Sequence, residues 1–139
     1  VLSASSNVTD PERARAEAIF SAVGLTLWLE ETQLNAVTAL SGSGPAFVYR
    51  FVEYMAAGGE TLGLTAKTAY TLALQTFLGS VQMLKVTGET PEALVQKVSS
   101  PNGTTVAGRS VLEKSATKQI IFETLAKAKI RADELTEGA

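Results

Sequence analysis

The residues in this sequence best suited to bind a small anion lie at positions 98–108, in the stretch VSSPNGTTVAG. Four hydroxyl groups, from Ser99, Ser100, Thr104 and Thr105, surround a Pro-Asn-Gly turn, and no charged residue lies among them. Hydroxyl groups donate and accept hydrogen bonds but carry no charge at neutral pH. The stretch therefore indicates recognition by hydrogen bonding and not by ion pairing.

A turn followed by a helix start is predicted within the same stretch. Pro101 restricts Ser100 to extended geometry, and the Asn102–Gly103 pair tolerates a positive φ. A helix that begins at Gly103 or Thr104 leaves its first backbone N–H groups without partners inside the helix. Such an uncharged cradle suits a carboxylate better than a polyphosphate. The alternative is an ordinary helix cap, in which a hydroxyl satisfies the helix end and nothing binds.

A second Gly/Ser turn, SGSGPA at positions 41–46, places Pro45 near the start of another predicted helix. It does not have the G-x-G-x-x-G spacing and does not directly follow a strand, so the dinucleotide-binding fingerprint is absent. Taken alone, these residues are explained by a flexible helix start that has no function of its own.

Several classes of chemistry are excluded by composition. The sequence contains no His and no Cys, which removes thiolate chemistry, the usual zinc sites and the commonest general base. Asp occurs only at Asp10 and Asp133, so a calcium loop is excluded and no metal site is predicted. The net charge of −2, without a basic stripe, argues against binding to nucleic acid or to a membrane surface.

The start of the sequence lacks the pattern of a secretory signal, and no apolar run reaches the roughly 18 residues that span a bilayer. We therefore expect a cytoplasmic protein.

Most of the chain has helical periodicity. Helices are predicted over residues 9–23, 45–63, 66–86, about 91–98, from 103 or 104 to about 114, and 116–135, with a short helix or turn over 32–40. Only residues 25–29 alternate as a strand does. Because a lone strand leaves its backbone groups unpaired, this strand either pairs across a dimer or ends a sheet that precedes it.

The two central helices, 45–63 and 66–86, are apolar over a wide arc. We expect them to be buried against a second copy of the chain, because large apolar patches rarely stay exposed. A monomeric bundle with these two helices at its centre is the alternative. Gly58 and Gly59 weaken the first of them, and a close helix crossing would explain their presence.

Five segments together resemble the C-terminal domain of the pyrroline-5-carboxylate reductases, in the order and spacing of that family. They are TALSGSGPAFVY (38–49), GLT and a following Ala (63–69), QTFLGSVQML (75–84), TGETPEAL (87–94) and VSSPNGTTVAGRSVLEK (98–114). The resemblance extends over about residues 5–136, and the Ser-Pro-x-Gly-Thr-Thr block is its most specific part.

The resemblance implies a mostly α fold, a helical bundle that forms an intertwined dimer or a larger homo-oligomer. Residues 1–31 would be the last helix and strand of a Rossmann domain, and residues 32–139 the dimerisation and substrate-binding domain. The implied reaction is reduction of 1-pyrroline-5-carboxylate to L-proline by NADPH or NADH, the last step of proline biosynthesis. The chain by itself is expected to be inactive, because the nucleotide-binding half would precede it.

The resemblance also implies roles for individual residues. Ser100, Gly103 and Thr104 would hold the substrate carboxylate, and Thr105 would donate or relay a hydrogen bond to the ring nitrogen as hydride reaches the neighbouring carbon. The turn residues Ser43, Gly44 and Pro45 would contact the cofactor. The sequence differs from many family members at Asn102, where they have Gly.

Two other functions remain open on the sequence. One is a helical dimerisation or interaction module without catalysis, in which the Gly/Thr turns are only caps. The other is a hydroxy-acid dehydrogenase with a helical dimer domain, but that family normally uses a catalytic Lys, and the lysines near helix starts here are poorly placed.

Overall fold

A computed structural model of the protein describes residues 1–138, which divide into two compact units. One unit contains residues 1–44 together with those from 123 onward, and the other contains residues 45–122. Ala139, the last residue of the predicted helical domain, lies outside the described residues. The predicted domain boundary between residues 31 and 32 is a different division and stays a prediction.

Helices dominate both units, which confirms the predicted mostly α fold. They are α1 (Asp10–Ser21), α2 (Leu34–Val37), α3 (Gly44–Thr61), α4 (Ala66–Thr87), α5 (Pro91–Lys97), α6 (Thr104–Lys114) and α7 (Thr117–Glu137). A 3-10 turn at Glu31–Gln33 precedes α2, and a π-helical turn at Thr38–Gly42 follows it. The longer helices begin and end within about two residues of the predicted positions, because their caps and apolar periodicity are local signals.

The strand predicted over residues 25–29 is wrong for the part of the chain that the structure describes. These residues form one isolated parallel bridge, between Leu2 and Trp28. The Leu2 N–H donates to the Leu27 carbonyl at 2.8 Å, and the Leu29 N–H donates to the Leu2 carbonyl at 3.0 Å. A ladder requires a partner of several residues, and within residues 1–138 only Leu2 pairs with this segment.

In the first unit, Trp28 connects the extended segment to α1. Its indole Nε1 donates to Glu17 at 3.1 Å, and the Arg13 guanidinium lies 5.3 Å from the centre of its ring system. The start of α1 is closed by Thr9, whose backbone N–H and hydroxyl both donate to Glu12, at 2.8 and 2.7 Å. These hydrogen bonds lower the pKa of Glu12, because they stabilise its charged form.

A side-chain network joins α2 to α7 within the same unit. The Asn35 amide donates to Asp133 at 2.9 Å, and Lys129 donates to the other carboxylate oxygen at 2.8 Å. The hydrogen bond from Lys129, followed by the one from Asn35, holds the pKa of Asp133 below its ordinary value of 3.8. Because the two helices are distant in sequence, this network is a tertiary constraint on α2.

In the second unit, small side chains allow α3 and α4 to pack closely. Val52 and Ala56 of α3 contact Ala69 and Ala73 of α4, and Phe77 packs against this cluster. A Cβ at Gly59 would lie 3.1 Å from the Ala69 Cβ, closer than ordinary van der Waals contact. Gly59 therefore allows the close helix crossing that its presence predicted.

Much of the apolar surface of the chain is exposed. Within residues 1–138, Ala39 and the four small residues of the α3–α4 cluster are the only buried positions. The accessible surface is 10850 Å², whereas a folded monomer of this mass is expected to expose roughly 6,900 Å². Exposed apolar residues on α3 and α4 include Tyr49, Met55, Leu72, Leu78 and Val81. This exposed apolar surface corresponds to the wide apolar arcs predicted for the two central helices.

Replacing Asp133 by Asn should destabilise the protein at neutral pH and should leave its stability at acid pH nearly unchanged. The native pKa of Asp133 is lowered, so its carboxylate contributes stability above the unfolded value of about 3.8, and this contribution is lost as the pH falls through the native pKa. Urea unfolding of both proteins at the same protein concentration, at neutral pH and at a pH far enough below 3.8 to protonate the native carboxylate as well, measures the difference.

Glu134→Gln is the matched control, because Glu134 pairs only with the neighbouring Arg131, at 2.7 Å on an exposed face of the same helix. A stability difference for Asp133→Asn that is the same at both pH values would contradict the assigned role of the carboxylate.

Candidate functional site

The helix before the candidate site is held at both of its ends. Thr90 caps the start of α5, where its hydroxyl accepts from the Ala93 N–H at 3.2 Å. Lys97, the last residue of α5, forms an ion pair at 2.7 Å with Glu89, which lies just before the helix. The loop that follows Lys97 therefore starts from a defined position.

One of the four hydroxyl groups of the stretch is used within the chain. Ser99 donates through its Oγ to the Val95 carbonyl at 2.6 Å, and its backbone N–H donates to the Gln96 carbonyl at 3.2 Å. Both bonds satisfy carbonyls at the end of α5. Ser99 therefore ends the helix, and the structure leaves the hydroxyls of Ser100, Thr104 and Thr105 for another role.

Residues 100–103 form the predicted turn. The Gly103 N–H donates to the Ser100 carbonyl at 2.9 Å, and Asn102 has a φ of 59°. Pro at the second position and a positive φ at the third are features of a type II turn. Asn adopts this left-handed conformation more readily than most residues other than Gly, which explains why it is tolerated here.

Gly103 is required for space and not for its φ, a role that the sequence analysis did not identify. Its φ of −76° and ψ of 167° are open to any residue. A Cβ at this position would overlap the Ser100 Oγ and would lie 3.0 Å from the Ser100 carbonyl oxygen. The turn can therefore close this tightly only around a residue without a side chain.

The first turn of α6 presents hydrogen-bond donors that have no partner. Gly103 is the N-cap residue, and no side chain caps the helix. Among the described residues, neither the N–H groups of residues 104–106 nor the hydroxyls of Ser100, Thr104 and Thr105 have a hydrogen-bond partner. The alternative of an ordinary cap formed by Ser100 or Thr104 is therefore not observed. These groups can donate hydrogen bonds to a small anion from solution.

The charged residue of α6 that lies one turn beyond Thr105 is Arg109. Its Nε is 3.0 Å from Glu113, and its Nη1 is enclosed without a hydrogen-bond partner among residues 1–138. Because Glu113 neutralises this cation, Arg109 does not add an unpaired positive charge near the candidate site. Sequence spacing alone could have suggested the i,i+4 pair but not the enclosure of Nη1.

The residues predicted to contact a cofactor lie at the start of α3. The Ser43 N–H donates to the Thr38 carbonyl at 2.8 Å, which closes the π-helical turn, and Pro45 lies in the first turn of α3. A Cβ at Gly44 would meet no atom within 4 Å. The contact of Ser43, Gly44 and Pro45 with a cofactor stays a prediction.

Within residues 1–138, no three His, Cys, Asp or Glu residues come together in a group that could hold a metal ion. None of the helices in this part of the chain is both long enough and apolar enough to cross a lipid bilayer.

Comparison with known families identifies one match. The family described as pyrroline-5-carboxylate reductase dimerisation matches residues 31–135. This range contains the Gly/Ser turn at the start of α3 and the whole of the candidate site.

Curated relatives carry the same description. The pyrroline-5-carboxylate reductase of Synechocystis is 44% identical over 95% of this chain and 50% of that protein. The reductase of Arabidopsis thaliana is 39% identical over 99% of this chain and 50% of that protein. The chain therefore spans about half the length of the curated relatives it matches.

Two solved structures resemble the fold closely. A pyrroline-5-carboxylate reductase from Coxiella burnetii has a TM-score of 0.91 at 39% identity, covering 96% of this chain and 50% of that one. The pyrroline carboxylate reductase of Plasmodium falciparum, with NADP bound, has a TM-score of 0.82 at 31% identity, covering 92% of this chain and 49% of that one.

Replacing Gly103 by Ala should open the turn and destabilise the protein by about 1–3 kcal/mol, because the new methyl group overlaps Ser100. Gly108→Ala is the matched control on the same helix, since a Cβ there meets no atom within 4 Å. It should stabilise the protein by up to about 1 kcal/mol through helix propensity. Urea unfolding at one protein concentration compares the two, and equal effects would contradict the steric role of Gly103.

Proposed function

The chain belongs to the pyrroline-5-carboxylate reductase dimerisation family, and on that premise we propose that it supplies the substrate-binding and dimer-forming half of an enzyme that reduces 1-pyrroline-5-carboxylate to L-proline. The observation that carries this proposal is the row of unpartnered donors at the start of α6. A second support is that the family match covers all of these residues.

The substrate carboxylate is bound by the cradle at residues 100–104. The N–H groups of the first turn of α6 and the hydroxyls of Ser100 and Thr104 donate to its oxygens, and the close turn at Gly103 brings these donors together. The helix dipole adds a partial positive charge at the same place. An uncharged cradle binds a monoanion without placing a fixed cation beside the nearby ring nitrogen, which is itself protonated in the reactive imine.

Thr105 is the proposed catalytic residue. Its hydroxyl is exposed and has no partner among the described residues, and it follows the cradle directly in α6. A hydroxyl can accept a hydrogen bond from a protonated ring nitrogen and can donate one to the amine formed from it. Thr105 Oγ1 therefore holds the nitrogen in position through the change in its charge, and orientation of this kind lowers the barrier.

A bound NADPH or NADH supplies the hydride, which is why the chain can serve this reaction without a His or a Cys. Ser43, Gly44 and Pro45 contribute a minor contact to that cofactor, supported by the open backbone at Gly44. Most of the cofactor site belongs to a Rossmann domain, of which residues 1–31 form the last helix and extended segment. Residues 32–139 form the helical domain.

A second copy of the chain covers the exposed faces of α3 and α4. The exposed surface of one chain, 10850 Å², exceeds that expected of a monomer by about 4,000 Å², which is more than enough for one side of an obligate homodimer interface. We propose a homodimer, which is also the unit of any larger ring. The dimer acts in the cytoplasm on a small-molecule substrate, and it binds neither nucleic acid nor a membrane.

Thr105→Ala should lower kcat/KM for pyrroline-5-carboxylate reduction by about 10–100-fold, because the hydrogen bond to the ring nitrogen is lost. Thr105→Ser keeps the hydroxyl and should retain most of the activity. The assay follows NADPH oxidation by an enzyme in which the first half of the Synechocystis relative is joined to this chain. Ser110→Ala is the control, because the Ser110 hydroxyl donates to the Ala107 carbonyl within α6 at 2.8 Å. Unchanged turnover in Thr105→Ala would remove Thr105 from the mechanism.

L-proline should shift the backbone amide resonances of residues 104–106 in a ¹⁵N NMR titration, because its carboxylate is bound at these unpartnered groups. Ser100→Ala should weaken this binding by about 3–10-fold through the loss of one hydrogen bond, and Ser110→Ala should not change it. Silent amides at residues 104–106, both in this chain and in the joined enzyme with NADPH, would favour the non-catalytic helical module.

A further inference from the structure

The three asparagines of the chain, Asn7, Asn35 and Asn102, have different surroundings. Asn7 accepts a hydrogen bond from the Ser5 hydroxyl, and the Asn35 amide donates to Asp133 at 2.9 Å. Asn102 is exposed, and its side-chain amide has no hydrogen-bond partner among residues 1–138. Of the three asparagine side chains, only that of Asn102 is not restrained by a hydrogen bond within residues 1–138.

The residue that follows Asn102 also differs from the residues that follow the other two asparagines. Val8 follows Asn7 and Ala36 follows Asn35, so a β-carbon shields the backbone nitrogen that comes next. Gly103 follows Asn102, and it has no β-carbon. We infer that Asn102 is a site of spontaneous deamidation, and that its conversion to aspartate or isoaspartate places a negative charge at the anion-binding turn.

The reaction needs only the chain and water. The deprotonated Gly103 nitrogen attacks the side-chain carbonyl carbon of Asn102, a C–N bond forms, and the side-chain nitrogen leaves as ammonia, which carries away the proton. Water then hydrolyses the resulting five-membered imide. Cleavage at the side-chain carbonyl gives aspartate, cleavage at the backbone carbonyl gives isoaspartate, and nothing is oxidised or reduced.

The turn itself controls the rate. The Gly103 N–H donates to the Ser100 carbonyl at 2.9 Å, and this bond must open before the nitrogen can attack. A ligand that holds the turn closed therefore slows the reaction at Asn102. The two other asparagines lie outside this turn, so the same ligand does not protect them.

The two products have different consequences for the turn. Aspartate tolerates the left-handed conformation that Asn102 adopts, with its φ of 59°, so the turn keeps its shape and gains a negative charge. Isoaspartate adds a methylene group to the backbone of a four-residue turn, which moves the Ser100 hydroxyl away from the first N–H groups of α6. This second part of the inference rests on the proposed function, since it concerns binding of a carboxylate.

To test this, the chain is incubated at mildly alkaline pH, and each asparagine is followed by peptide mass spectrometry and by isoaspartate detection. Product should accumulate at position 102, while Asn7 and Asn35 stay unchanged over the same period. L-proline should slow the reaction at Asn102, and the Asn102→Gly variant should accumulate no product in that peptide. Equal rates at the three asparagines, or no product at position 102, would overturn the inference.

A second measurement tests the consequence. Asn102→Asp should keep the circular dichroism spectrum of the unmodified chain and should bind L-proline about fivefold more weakly, through repulsion between two carboxylates. Equal affinity would overturn the assigned effect of the charge. If L-proline binds neither to the unmodified chain nor to the joined enzyme with NADPH, the proposed function fails, whereas the rates at the three asparagines still decide the modification.

Discussion

The hydrogen bond from the Gly103 N–H to the Ser100 carbonyl is the constraint on which the candidate site depends. It closes a turn in which the backbone of one residue lies against the carbonyl and hydroxyl of another, and only the missing side chain of Gly103 makes that approach possible. The turn directs the chain into α6 so that its first N–H groups face outward. A looser turn would leave the same residues in sequence without bringing the donors together.

The unpartnered state of these donors is a cost that a purely structural helix start avoids. Elsewhere in the chain, Thr65 and Thr90 accept bonds from the first turns of α4 and α5, at 3.2 Å in each case. At α6 the corresponding position is Gly103, which has no side chain to do this. Gly at an N-cap lowers helix stability by only a few tenths of a kcal/mol relative to such a hydroxyl. The helix can therefore keep these donors open at a small loss of stability.

The exposed apolar surface follows from the small residues between α3 and α4. Because Ala56, Ala69 and Ala73 bring the two helices close together, their larger side chains cannot lie between them and instead point outward. A core of this size contributes little of the hydrophobic free energy that a domain needs. In the proposed homodimer, stability is coupled to association, and the measured stability would depend on protein concentration.

By itself, the sequence determined the helices, the Pro-Asn-Gly turn and the need for a close crossing at Gly59, because each depends on neighbouring residues. The tertiary structure alone decided which polar groups have no hydrogen-bond partner within the described residues. It uses the Ser99 hydroxyl at the end of α5 and pairs Asn35 with Asp133, 98 residues away. It also leaves residues 25–29 with a single bridge, since a strand depends on a partner that its own alternation cannot supply.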